Sequence, residues 1–145
     1  MTKQMYTDCY CTQLRRASSG LTKIYDDALR PQGLKITQFS MLRGLQRLGR
    51  ATLSALADEL ALDRTTMSRG VKPLIDAGWI DSSTGESDAR EKLLELSDQG
   101  RKKLKDAMPA WSKAQEKFEA QMGQSDKPAA NKRLVDLLVS LQFAD

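Results

Sequence analysis

The stretch ALDRTTMSRGVKPLIDAGWI, Ala61 to Ile80, decides how the rest of the chain is read. Its first half holds Arg64, Thr65, Thr66, Ser68 and Arg69; its second half turns apolar with Val71, Leu74 and Ile75. Asp63 precedes the run and suits a helix N-cap, since its carboxylate can accept the free N–H groups of Thr65 and Thr66 and favours the positive helix end. Met67, Val71, Leu74 and Ile75 recur at helical spacing and form a stripe to be buried. Pro73 removes one hydrogen bond and should bend or tighten the helix. Gly78 is the expected left-handed stop. At about 100° per residue, Thr65, Ser68, Arg69 and Lys72 gather on the face opposite Met67, Val71 and Leu74. One face is built for a core and the other for a polar, anionic surface.

Outward from this helix the pattern continues in both directions. Upstream, Leu14, Ala17, Leu21, Ile24, Tyr25 and Ala28 mark a first helix that ends at Pro31-Gln32-Gly33. Thr37 is a plausible cap for a second, with Phe39, Leu42, Leu45 and Leu48 inward and Gly49 as its stop. Ser54 can cap a short helix from Ala55 to about Leu60, followed by a tight turn at Ala61-Leu62. Downstream, Trp79–Ser83 and Glu91–Leu96 read as two strands around a turn at Gly85-Glu86-Ser87-Asp88. Ser97 or Asp98 opens a long helix carrying Leu104, Met108, Trp111, Gln115, Phe118 and Met122, with a kink expected at Pro109. A break spans Gly123 to Pro128. A last helix carries Leu134, Leu137, Leu138 and Leu141. The order is helix, helix, short helix, turn, helix, hairpin, long helix, helix. The fold class is therefore mainly α with a small β-hairpin wing: a helix-turn-helix followed directly by a hairpin is a winged helix.

Composition narrows the function. The chain has 145 residues, is 40% hydrophobic and 29% charged, and carries a net charge of +4. This is an ordinary globular composition with a mildly basic balance compatible with nucleic acid. There is no histidine and there are two cysteines, which removes the commonest general base and any four-ligand Cys/His zinc site within one chain. Phosphate-cradling glycine loops and nucleophile elbows are absent from the sequence. No catalysis, cofactor or metal is expected. No stretch approaches the about 18 apolar residues of a membrane span, and MTKQMYTDCYC lacks the apolar region of a signal peptide, so a cytoplasmic protein is expected.

The exposed face of the Arg64 helix has the chemistry of a major-groove reader. Arginine bonds guanine O6 and N7 in bidentate fashion, threonine and serine hydroxyls reach base edges or phosphates, and a threonine methyl packs on thymine. Lys72, farther along, suits a phosphate. The competing reading is a solvated face that only confers solubility. Hydroxyl residues are poor helix formers, so such a face would more often carry Glu, Lys or Ala.

With LSALADELALDRTTMSRGVKPLIDAGWI and SDAREKLLELSDQG in view, the chain resembles the MarR family, bacterial winged-helix repressors that act as homodimers. The resemblance covers nearly the whole chain. Its wing motif is Asp88-Ala89-Arg90, followed by Leu96-Ser97-Asp98-Gln99-Gly100. The resemblance implies that Arg90 enters the minor groove and that Asp88 holds the wing turn or orients a basic neighbour, against the plainer reading of an exposed, weakly paired turn. It implies that residues 1–34 and 98–145 form dimerisation helices around a DNA-binding unit at 35–97. It also implies a pseudo-palindromic double-stranded operator with half-sites about one turn, roughly 34 Å, apart. The apolar crowd Leu134, Leu137, Leu138, Leu141 and Phe143 supports an interface independently.

Regulation is the remaining question. Many members of the family bind small aromatic or phenolic effectors between the DNA-binding lobe and the dimer helices. By position, Tyr25, Phe39 and Trp111 are candidates for such a crevice, or are simply core aromatics. Cys9 and Cys11 flank Tyr10 at the start of the first helix, where a thiol pKa is lowered. They are either redox-active or two inert thiols. Two alternatives to a ligand-relieved repressor stay open: a thiol-based redox sensor through Cys9 and Cys11, and a winged-helix protein-interaction module with no functional DNA contact.

Overall fold

The computed structural model describes residues 8–121 apart from 86, 88 and 89, the backbone of 127–142, and the side chains of 132–141. The chain runs α1 (Tyr10–Leu29), a 3-10 turn (Arg30–Gln32), α2 (Ile36–Leu48), β1 (Ala51–Thr52), α3 (Leu53–Glu59), α4 (Arg64–Asp76), β2 (Ile80–Thr84), β3 (Lys92–Leu96), α5 (Asp98–Gln121) and α6 (Lys127–Gln142). The architecture is mainly helical with a three-stranded antiparallel sheet of order β1-β3-β2.

Local chemistry explains most boundaries. α1 gives way to the 3-10 turn, and Gly33 takes φ +69° behind it. Asp63 accepts the Thr66 N–H at 2.8 Å and so caps α4. At the other end of α4 the Gly78 N–H bonds Ile75 O and the Trp79 N–H bonds Leu74 O, each at 2.9 Å, with Gly78 at φ +77°. That is a Schellman stop. The turn at Ala61-Leu62 uses the same device: Ala61 has φ +52°, its N–H bonds Asp58 O, and the Leu62 N–H bonds Ala57 O. Ser97 caps α5, its hydroxyl accepting the Gly100 N–H at 3.0 Å and donating to Gly78 O at 2.6 Å.

Several expected details are corrected. Thr37 does not cap α2, which begins one residue earlier at Ile36; the Ile36 N–H is taken by Asp26 of α1 at 2.8 Å and the Lys35 N–H by Gln38 at 2.9 Å. Ser54 lies inside α3, whose cap is Thr52, accepting the Ala55 N–H at 3.0 Å. Leu48 is 40% exposed rather than inward. β2 and β3 begin one residue later than expected, at Ile80 and Lys92, and β2 ends at Thr84. Pro128 falls within α6 instead of before it. α4 and α5 both continue through their internal prolines, Pro73 and Pro109.

The core lies between α2, α3, α4, the sheet and the first half of α5. Leu29, Phe39, Met41, Leu42, Leu45, Leu56, Met67, Leu74, Ile80, Leu94 and Leu104 are its largest fully buried members. α1 packs along α5. The last helix differs: Leu134, Val135, Leu137, Leu138, Val139 and Leu141 are 41–61% exposed.

Candidate nucleic-acid interface

α4 is anchored by Met67, Val71 and Leu74, all buried, which leaves Arg64, Thr65, Thr66, Ser68, Arg69 and Lys72 exposed. The side chains then take different tasks. Arg64, Thr65, Ser68 and Arg69 line a cleft of about 780 Å³ between α4, the first turn of α3 and the turn end of β3. Thr66 turns its hydroxyl back to Asp63 and serves the cap. That hydroxyl, followed by the backbone N–H of Thr66, holds the Asp63 carboxyl below its ordinary value of 3.8. Lys72 sits outside the cleft and pairs with Asp76 at 3.1 Å.

Arg90, from the far end of the hairpin turn, reaches the same cleft. The turn it closes is tied by the Gly85 N–H bonding Glu91 O at 2.7 Å. Asp88, the other expected wing residue, lies outside the described residues. The cleft walls thus bring Arg64, Arg69, Arg90 and Lys92 together with one carboxylate, Glu91, and the hydroxyls of Thr52, Ser54, Thr65 and Ser68. A concave surface of one dominant sign concentrates potential and attracts a polyanion.

The remaining candidates lie elsewhere. Phe39 is core, 1% exposed, and stacks on Trp111 with ring centroids 5.8 Å apart at 17°. The Arg43 guanidinium carbon lies 4.2 Å from the Trp111 centroid. Tyr25 is buried. Burial raises its hydroxyl pKa, the charge of Glu119 adds to the rise, and Arg43 opposes it. The three aromatics therefore converge around Arg43 where α1, α2 and α5 meet. Cys9 and Cys11 are exposed thiols that form no disulfide among the described residues. A bond from the Thr12 side chain, then the Thr12 backbone, lowers the Cys9 pKa from its ordinary value of 9.0.

The chain is similar to known transcriptional regulators. YwoH of Bacillus subtilis (strain 168), an uncharacterized HTH-type transcriptional regulator, is 30% identical over 117 residues, covering 81% of this chain and 85% of YwoH. The crystal structure of the M. tuberculosis transcriptional regulator MosR in complex with DNA matches with a TM-score of 0.81 and 34% identity, over 93% of this chain and 97% of that one. The MarR family model matches residues 34–92. The chain belongs to the MarR family. It is a winged-helix transcriptional regulator, and the matched span runs from the approach to α2 to the first residue of β3. Bordetella bronchiseptica BpsR, whose structure concerns regulation of its DNA binding by 6-hydroxynicotinic acid, shares the MarR fold at 22% identity with a TM-score of 0.81, over 97% of each chain. No helix among the described residues is long and apolar enough to cross a membrane.

Reading the sequence missed the cleft's other wall. Thr52, Leu53, Ser54, Glu91 and Lys92 line it, and they come together because Ala51 pairs with Leu94 and Thr52 with Leu93. A two-residue strand carries too little periodicity to be seen. The alternation of Lys92, Leu94 and Leu96 was the available signal.

Proposed function

We propose that this MarR-family regulator is a homodimeric repressor that binds a pseudo-palindromic DNA operator and is released by a small effector or by oxidation. The observation that carries this reading is the convergence of α4 and the wing on one cationic, hydroxyl-lined cleft. Arg64, Thr65, Ser68 and Arg69 read the major groove, Lys72 grips flanking phosphate, Arg90 enters the minor groove and Asp88 supports the wing turn. Thr66 contributes by fixing the first turn through Asp63. MosR, 34% identical, has been crystallised with DNA, which supports the assignment. The dimer is formed by α1, α5 and α6; apolar side chains at the start of α1 and along α6 are open in the single chain. The protein acts in the cytoplasm and carries no catalysis.

Two routes of release have support. BpsR is regulated by 6-hydroxynicotinic acid and CouR of Rhodococcus jostii RHA1 binds p-coumaroyl-CoA; by analogy of fold, Tyr25, Phe39 and Trp111 mark where an aromatic effector would separate the α4 helices. The lowered pKa and exposure of Cys9 favour an oxidative route through Cys9 and Cys11. Selection of sites from random duplex DNA with reduced protein tests the core reading. An enriched pseudo-palindrome with half-sites about one turn apart is the expected result. Binding to a partner protein with no salt-dependent DNA affinity would instead favour an interaction module.

A further inference from the structure

The cleft between α4 and the wing contains a charge outside both the α4 face and the wing tip. Lys92 opens β3, and alternate strand residues share a face. It therefore stands on the same side as Leu94 and Leu96, which are buried against the helices. One step beyond the core, this side opens to solvent, and there Lys92 lies exposed on the cleft wall. Ser54, at the start of α3, lines the same cleft, with Arg64 and Ser68 of α4.

These cations differ from most others nearby. Arg47 is bound to Glu59 at 2.8 Å, Arg50 to Glu95 at 3.5 Å and Lys72 to Asp76 at 3.1 Å. Among the described residues, no such carboxylate pairing involves Arg64, Arg69 or Lys92. Cations left without internal partners and facing hydroxyls suit an external polyanion. A lysine ammonium is a point charge on a flexible stem, fitted to phosphate rather than to the two-pronged edge of guanine.

We propose that Lys92 holds a backbone phosphate of the DNA strand that passes between α4 and the wing, with Ser54 as a second donor to that strand. This rests on the DNA reading above. A helix in the major groove and a wing in the neighbouring minor groove must straddle one sugar-phosphate strand, because that strand is what separates the grooves. Lys92 lies on the cleft wall between the two reading elements, so it acts as a positioning residue. It carries no sequence information but fixes how far apart helix and wing engage.

Fluorescence anisotropy on the selected operator and on an unrelated duplex, with parent protein, Lys92→Gln and Lys92→Arg, tests the assignment. Lys92→Gln should weaken both duplexes by the same factor and reduce the salt slope by about 0.9. Between about 50 and 200 mM salt, the fall in affinity then shrinks by roughly 3.5-fold. Lys92→Arg should keep the parent slope. Neutral methylphosphonate linkages, introduced one at a time, should reveal one phosphate beside the wing that matters to the parent and is silent to Lys92→Gln. A Lys92→Gln protein with the parent's slope and linkage profile would overturn the Lys92 assignment alone. A parent with no salt-dependent DNA binding would overturn the DNA reading and this one with it.

Discussion

Exposed side chains on α4 look interchangeable in sequence, and their surroundings divide them. Arg69 faces the cleft without a carboxylate partner among the described residues, whereas Lys72 is held by Asp76. Arg69→Ala should therefore cost about 1–3 kcal/mol on the selected operator and relax preference at one base pair. Lys72→Ala should weaken all duplexes alike. Anisotropy with a set of single-base operator variants separates the two; equal losses on every variant would make Arg69 a phosphate contact. Thr66 is legible as a backbone N–H that Asp63 accepts, but not as a hydroxyl donating to the same carboxylate, because that depends on how its side chain turns within the cap. The Asp63 carboxyl is held below its ordinary 3.8, so its stabilisation is complete above the unfolded-state pKa and fades as pH falls through the lower folded value. Asn caps nearly as well without titrating. The stability gap between parent and Asp63→Asn should therefore narrow from pH 7 to about pH 3, measured by urea midpoints. A constant gap would mean that the charge contributes nothing. At the N-terminus, Thr12→Val should raise the Cys9 pKa by removing its main hydrogen bond. Alkylation of Cys9 at neutral pH, followed by mass spectrometry, should then slow; an unchanged rate would remove the support for a primed thiol.

Elements meet most tightly where α5 starts. A Cβ built on Gly100 would stand 2.0 Å from the Trp79 carbonyl oxygen and 2.9 Å from its carbon. Those are backbone atoms that bond Ser97 N–H and begin the wing. Gly70 is also crowded, but its nearest neighbour at 2.3 Å is the terminal methyl of Met41, a flexible side chain. Gly100→Ala should thus destabilise by about 1–3 kcal/mol, lowering Tm by roughly 2–4 °C per kcal/mol. Gly70→Ala should be milder, because the Met41 side chain can turn aside whereas the Trp79 backbone cannot. Calorimetry comparing the two checks this; equal effects would mean that α5 can slide away from Trp79. The comparison also shows what sequence can convey. Gly100 was visible as a motif position, but its reason is an approach between residues far apart in the chain. The helix order, the stripe of α4 and its Gly78 stop were legible, since periodicity and capping are local. β1 was not, because its two residues gain strand character only by pairing with Leu93 and Leu94. The cleft's second wall was hidden for the same reason.

For the molecule as a whole, α6 is the element whose apolar side chains the rest of the described chain leaves uncovered. It spans Lys127–Gln142, and six of its aliphatic side chains are 41–61% exposed. Its packing against the other described elements is slight, and an isolated helix of this length is marginal in water. Tyr10 and Leu14, at the start of α1, are also open at 80% and 49%. An apolar surface of this extent marks an interaction site, and a second copy of the chain would offer a matching face by twofold symmetry. Leu134 and Leu138 lie four apart on one side of α6. Placing aspartate at both should break the association, since each charge would be buried without a partner. Light scattering should then report a monomer, and operator binding should fall to the affinity of one half-site. Melting of the parent should depend on protein concentration, as linkage of folding to assembly requires, and that dependence should vanish in the variant. A double variant that stays dimeric would place the seam away from α6 and leave its leucines to another partner.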